Sequence, residues 1–161
     1  MKTLYLFRHA KSSWTFDLPD HDRPLGKRGR KDVLRMGDFL AKEINPPEVV
    51  LSSTASRAFY TALHICDSFK VSEDIISLSK GLFHAGPREI LDIVRRAPEC
   101  NTIAIFGHNP GFTHTANQLA NLHIENIPTC GVVGISFNLD QWSALDFGTG
   151  RKEFFYYPKG I

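Results

Sequence analysis

Two arginines and two histidines in this chain occupy equivalent places. Arg8 and His9 follow directly on the apolar run of "LYLFRHAKSSW". Arg57 comes just after "EVVLSS", in "TASRA", and His108 follows "TIAIFG" and leads into Asn109, Pro110 and Gly111. Guanidinium forks match phosphate oxygens bidentately and stay charged. Helix N-termini add oriented N–H groups and partial positive charge for an anion. A neutral imidazole is a competent nucleophile toward phosphorus at physiological pH. Together these types are suited to phosphoryl chemistry. Taken singly, each has an ordinary explanation. A lone Arg at a strand end is a solvated charge or pairs with a carboxylate, and a lone His is usually hydrogen-bonded structure, the reading given to His21, His64, His114 and His123. Recurrence at the same relative position after three strands is what those explanations leave unaccounted for.

The elements that must position these residues are legible as alternating apolar runs and helical stretches. Strands are expected at 3–7, 48–53, 75–79 and 102–107. A helix is expected over about 27–43, with Val33, Met36, Gly37 and Leu40 at helical spacing before Pro46-Pro47 stops it. A second spans about 55–69, a third opens at Gly86-Pro87 and closes before Pro98, and a fourth follows Gly111. Such alternation predicts a three-layer α/β/α sandwich with a mostly parallel central sheet. The tail segments "CGVVGISFNL", "WSALDFG" and "KEFFYYP" read as an antiparallel meander at the C-terminal edge. No linker or repeat divides the chain, so 1–161 is expected to be one domain. In such sheets chemistry gathers beyond the carboxyl ends of the strands, where Arg8, His9, Arg57 and His108 would meet.

Composition bounds the alternatives. The chain has 161 residues, 42% hydrophobic, with a net charge of +2, which gives no basis for a nucleic-acid partner. Cys66, Cys100 and Cys130 show no metal-ligand or disulfide spacing and read as reduced thiols of a cytoplasmic protein. The apolar run after Lys2 is too short for a signal peptide, and no segment reaches the ~18 apolar residues of a membrane span. No Walker sequence occurs, and "FGTGRK" reads as a hairpin turn. A metal site built from His9, His84 and His108 is disfavoured by the two arginines, which would repel a dication.

"LFRHAKSSW", "DRPLGKRG", "LSSTASRAFYTA" and "IFGHNPG" resemble, in order and spacing, the signature blocks of the histidine phosphatase (phosphoglycerate-mutase-like) superfamily. The short chain, the Arg-His-Ala-Lys-Ser form and "PTCGVV" are similar to its small SixA-type phosphohistidine phosphatases. The resemblance implies a phosphohistidine intermediate on His9, a phosphate pocket of Arg8, Arg57 and His108, and neither metal nor organic cofactor. Two departures stand out. Ala10 replaces the glycine of larger members, tolerable if its φ is not positive. The loop "KGLFHAGPRE" lacks the carboxylic acid that protonates the leaving group in many members; His84 is the nearest titratable residue there, and Glu89 falls within the expected helix.

The expected substrate is phosphohistidine on a protein. Connections look too short for a lid, and an imidazole, with a conjugate-acid pKa of about 6.5, leaves without the proton that an alkoxide needs. A phosphatase or mutase of a small phosphorylated metabolite is the alternative enzyme, and a non-catalytic phosphoprotein-binding module a third, disfavoured by His9 itself. Arg23, Lys27, Arg28, Arg30 and Lys31 cluster at a helix N-terminus, where cations oppose the macrodipole. They read as a solvated helix end or a face for an acidic phosphoprotein.

Overall fold

The second residue pair of the first strand already dictates a two-sided burial. Side chains alternate across a strand, and in β1 (Lys2–Arg8) Leu4 and Leu6 lie in one buried cluster while Tyr5 and Phe7 lie in another. The computed structural model describes residues 1–161. Its single sheet contains β1, β2 (Val49–Ser53), β3 (Ile76–Ser79), β4 (Thr102–Gly107), β5 (Val132–Phe137) and β6 (Arg151–Tyr156), in the order β3-β2-β4-β1-β5-β6. The first four are mutually parallel, and β5 and β6 each run antiparallel to their inner neighbour. This is the expected mostly parallel α/β sheet with an antiparallel C-terminal edge.

Helices cover both faces. α1 (Lys27–Glu43) and α2 (Ser56–Phe69) contribute Val33, Met36, Leu40, Ala62 and Ile65 to the cluster that holds Tyr5 and Phe7. α3 (Pro87–Arg95) and α4 (Gly111–Ala120) contribute Ile90, Val94, Phe112 and Leu119 to the cluster with Leu4 and Leu6. β1 therefore hands the chain to one face and its neighbour β4 to the other. Adjacent strands whose following helices diverge leave a crevice at their carboxyl ends. Phe7 and Phe106, stacked 4.4 Å apart beneath that crevice, make a rigid floor. Truncating either to Ala costs about 3–5 kcal/mol.

Two glycines permit the close approaches that shape the crevice. A Cβ on Gly29 would collide with the Lys11 carbonyl oxygen, and one on Gly111 with that of Ala85. The first brings α1 against the exit of β1, the second sets α4 against the loop after β3.

The tail departs from the expected meander. β5 and β6 pair directly, with a register shift at Gly134/Ile135, and "WSALDFG" is not a strand. It forms a 3-10 turn at Trp142–Ala144, with Trp142 Nε1 donating to the Cys100 carbonyl at 2.9 Å and Leu145 fully buried. Trp142 and Leu145 are three residues apart, which places both on one side of a tight helical turn. The connection is then tied to the end of α4 by Gly148 N–H to Gln118 O and Gly150 N–H to Leu119 O, each 2.8 Å.

Candidate active site

Backbone hydrogen bonds fix His9 before its side chain is considered. Its N–H donates to Gly107 O of β4 at 3.0 Å, and its carbonyl accepts from Cys130 N–H at 2.9 Å. The next N–H, of Ala10, donates to Thr61 Oγ1 at 2.9 Å, and that hydroxyl donates to Arg57 O at 2.7 Å. One threonine thus links the exit of β1 to the turn of α2 that carries Arg57. Ala10 is fully buried and has no positive φ, so its methyl is carried there without backbone strain.

The ring of His9 is equally defined. Nδ1 lies 2.7 Å from the Ala10 carbonyl, which can only accept, so Nδ1 carries the proton. Nε2 is then the lone-pair nitrogen, and Arg57 Nε donates to it at 3.3 Å. His9 is 9% exposed. Burial, opposed by the Ala10 hydrogen bond and reinforced by the charges of Arg57, Arg8 and Arg23, pushes its pKa down to about 4. The expected repulsion from cations is present, but burial is the larger cause.

His108 stands across the crevice, its ring centroid 5.2 Å from that of His9. Nε2 lies 2.8 Å from Ser53 Oγ, which accepts the Ala55 N–H and whose own O–H meets no other acceptor; with that O–H donated to Nε2, the ring proton sits on Nδ1. Burial first, then the charges of His9, Arg57 and His84, push this pKa to about 3, so His108 is a neutral N–H donor at physiological pH. His108 Nδ1 and Arg8 Nε are both buried without a hydrogen-bond partner in the protein. Buried donors are almost always paired, and two left unpaired at the adjacent ends of β1 and β4, where His9 lies, suit an anion's oxygens. Arg8 is anchored separately, Nη1 donating to Ile127 O at 2.9 Å. Four expected residues, Arg8, His9, Arg57 and His108, therefore converge.

His84 reaches only the mouth. It is 63% exposed on its side chain, adopts a left-handed φ of 60°, and its ring lies 5.9 Å from that of His108. Glu89 sits within α3, as expected. The basic cluster at the start of α1 splits: Lys27, Arg28 and Lys31 are exposed, whereas Arg23 is 7% exposed.

Asp20, which sequence reasoning missed, and Arg23, which it placed in the basic cluster before α1, complete the mouth. Asp20, in the loop between β1 and α1, accepts from Arg57 Nη2 at 3.0 Å through Oδ2 and from Arg23 Nη2 at 2.8 Å through Oδ1. Arg23 also donates to Ser12 Oγ at 2.7 Å and stacks 3.5 Å from the centroid of the exposed Trp14 ring. The hydrogen bond from Arg23 is the largest influence holding the Asp20 carboxyl below the ordinary carboxylate range. The only sequence signal was the spacing of Asp20 and Arg23, three residues apart within "DHDRP". No group of three or more His, Cys, Asp and Glu side chains has the geometry to hold a metal ion, and no helix is long and apolar enough to cross a membrane.

Residues 4–80 match the model of the histidine phosphatase superfamily (branch 1). Among curated proteins, the chain is 26% identical to the uncharacterized Rv1276c of Mycobacterium tuberculosis, covering 94% of this chain and 99% of that one. It is 28% identical to the uncharacterized chloroplastic At3g52155 of Arabidopsis thaliana, covering 88% and 69% respectively. Among solved structures, a SixA-type protein of Agrobacterium tumefaciens superposes with a TM-score of 0.83 at 23% identity over 98% of each chain. The protein histidine phosphatase SixA complexed with tungstate gives 0.77 at 16% identity, over 98% of this chain and 97% of that one. These likenesses establish the fold over the whole length, and residues 4–80 are similar to the histidine phosphatase superfamily.

Proposed function

We propose that the protein is a phosphohistidine phosphatase acting on a phosphorylated protein through a covalent intermediate on His9. The observation that carries this reading is the fixed state of the His9 ring, with Nδ1–H on Ala10 O and Nε2 unprotonated and accepting from the Arg57 guanidinium. Arg8, Arg57 and the Nδ1–H of His108 hold the phosphoryl oxygens. Nε2 attacks in line, the leaving group departs, and water then hydrolyses the phosphorylated imidazole. The positive charge that develops on the His9 ring is steadied by the Ala10 carbonyl, and the arginines stabilise charge on the equatorial oxygens.

Two features favour phosphohistidine over a metabolite. The mouth is open, with Asp20 and His84 side chains 47% and 63% exposed, which suits a phosphorylated residue presented by a macromolecule. The carboxylate brought to the pocket, Asp20, is held ionised and so has no proton for an alkoxide. Fold likeness alone does not choose, since a mycobacterial glucosyl-3-phosphoglycerate phosphatase superposes with a TM-score of 0.70 at 13% identity, over 95% of this chain and 97% of that one. Three unpaired cysteines favour a reducing compartment such as the cytoplasm.

The test is kcat/KM in EDTA for a phosphohistidine peptide, a phosphoserine peptide and a graded series of aryl and alkyl phosphates, in wild type, His9→Ala and His84→Ala. The expected pattern is a steep dependence on leaving-group pKa, no turnover by His9→Ala, and phosphohistidine turnover by His84→Ala within about tenfold of wild type, since general-acid help of ~10²–10⁴ is not in use. A flat dependence that becomes steep in His84→Ala makes His84 the acid. One flat in both favours the metabolite reading.

A further inference from the structure

Asp20 takes no part in the steps above, yet few surface carboxylates are held so firmly. It opens a 3-10 turn, Asp20–Asp22, behind Pro19. The turn is tacked to the start of α2 by the 2.8 Å contact of His21 Nε2 with Thr54 Oγ1. Arg23 Nε and Nη2 donate to Oδ1 at 3.2 and 2.8 Å, and Arg57 Nη2 donates to Oδ2 at 3.0 Å. The Asp20 carbonyl independently takes Arg57 Nη1 at 2.6 Å. The same guanidinium reaches the His9 lone pair through Nε, so one side chain spans from carboxylate to nucleophile. On its remaining side Oδ2 faces an imidazole, with His84 Nε2 at 3.9 Å.

A fixed anion beside a phosphoryl dianion is a handicap for most substrates. It opposes binding, and it opposes an alkoxide or phenoxide on which negative charge is growing. For one leaving group the sign reverses. A phosphohistidine ring protonated at its free nitrogen carries positive charge and an N–H directed away from phosphorus. A carboxylate within reach of that N–H favours the cationic form, which is the form that departs as neutral imidazole.

We propose that Asp20 recognises the leaving group, accepting the free ring N–H of a substrate phosphoimidazolium and selecting phosphohistidine against phosphate esters. The inference rests on the phosphohistidine reading above. The substrate P–N bond breaks with its electron pair passing to that nitrogen, and the imidazole leaves neutral, keeping its other N–H. The lone pair of His9 Nε2 forms the new P–N bond, and its ring becomes the imidazolium. No proton moves. Each imidazole is steadied through its far nitrogen, one by the Ala10 carbonyl and the other by the Asp20 carboxylate.

Asp20→Asn removes the charge and leaves the backbone carbonyl on Arg57. Three quantities are read: kcat/KM for a phosphohistidine peptide, kcat/KM for an aryl phosphate, and vanadate affinity. The expected result is a loss of about tenfold or more on the phosphohistidine peptide, the scale of one charge-assisted hydrogen bond. Vanadate should bind more tightly, and the aryl phosphate should turn over several-fold faster. Asp20→Ser should follow Asp20→Asn, and Asp20→Glu should recover part of the phosphohistidine activity. Equal losses on both substrates would make Asp20 a support for Arg57 and overturn the proposal, as would no change on either. A wild type that prefers alkyl phosphates to the phosphohistidine peptide defeats the substrate reading itself, whatever the variants do.

Discussion

The protonation state of His9 is the most exposed point of the mechanism. Placing the ring where burial dominates moves its midpoint from the ordinary 6.5 to about 4. At pH 5 an unshifted histidine is only about 3% neutral, whereas one titrating near 4 is about 90% neutral. Going from pH 7 to pH 5 would cost an unshifted nucleophile roughly 25-fold in its reactive form, and the shifted one about a tenth. Phosphoryl ionisation in the substrate also changes over this interval, so the ring itself should be observed. A long-range proton–nitrogen NMR titration of the imidazoles, with the His9 signals assigned by their loss in His9→Ala, reports midpoint and tautomer together. The expected result is a midpoint near 4 and the pattern of an Nδ1–H tautomer across neutral pH. A midpoint near 6.5, or a proton on Nε2, would refute the account of how the Ala10 carbonyl and burial prepare the nucleophile.

Arg57→Lys keeps a charge but not the fork that joins His9 to Asp20; kcat/KM should fall by about 10²–10³, the cost of removing a directed electrostatic donor. Thr61→Val preserves volume but leaves the Ala10 N–H without its acceptor, so the melting temperature should drop by the equivalent of about 1–3 kcal/mol and kcat should fall with it. Acid should destabilise the protein through His9 and His108. The unfolded chain takes up their protons near 6.5 while the folded state resists, so stability declines as pH falls through 6.5 and continues to decline to about 4 for His9 and about 3 for His108. The full effect is about 3 kcal/mol for His9 alone. Melting scans from pH 7 to 4.5 should show this slope, and His108→Asn should make it shallower.

Most of the scaffold was legible because its signals are local. β1 to β4 are apolar runs bounded by turn residues, and Val33, Met36 and Leu40 mark the buried stripe of α1 without reference to any partner. Arg8, His9, Arg57 and His108 were found because they follow those runs directly. Asp20 and Arg23 lie in a loop with no periodicity. They reach the pocket only because Ser12 pairs with Leu25 and the Gly26 N–H returns to the Lys11 carbonyl at 2.9 Å, contacts that no spacing announces. "WSALDFG" was misread because a few apolar residues bounded by turn signals occur in a tight turn as readily as in a short strand. The left-handed backbone of His84 belongs to the same class, since nothing in "LFHAG" distinguishes a positioned histidine from a packed one.

The clamping of His9 between Gly107 and Cys130 also constrains how the chain comes together. β1 is made before either of its neighbours, β4 and β5, exists. Its pairings span the register from Thr3–Thr102 to Arg8–Gly107 on one side and from Lys2–Phe137 to Phe7–Val132 on the other. Long-range pairings of this kind close late and slow folding. Until residue 137 is available, the Leu4 and Leu6 side chains lack the Val133 and Ile135 neighbours of their cluster, leaving an unpaired apolar edge on the nascent chain. A chain interrupted before Ile127 would carry Arg8, His9 and His108 yet have neither the Cys130 N–H that holds the His9 carbonyl nor the Ile127 carbonyl that anchors Arg8. Its nucleophile is among the first residues synthesised and among the last to acquire its geometry.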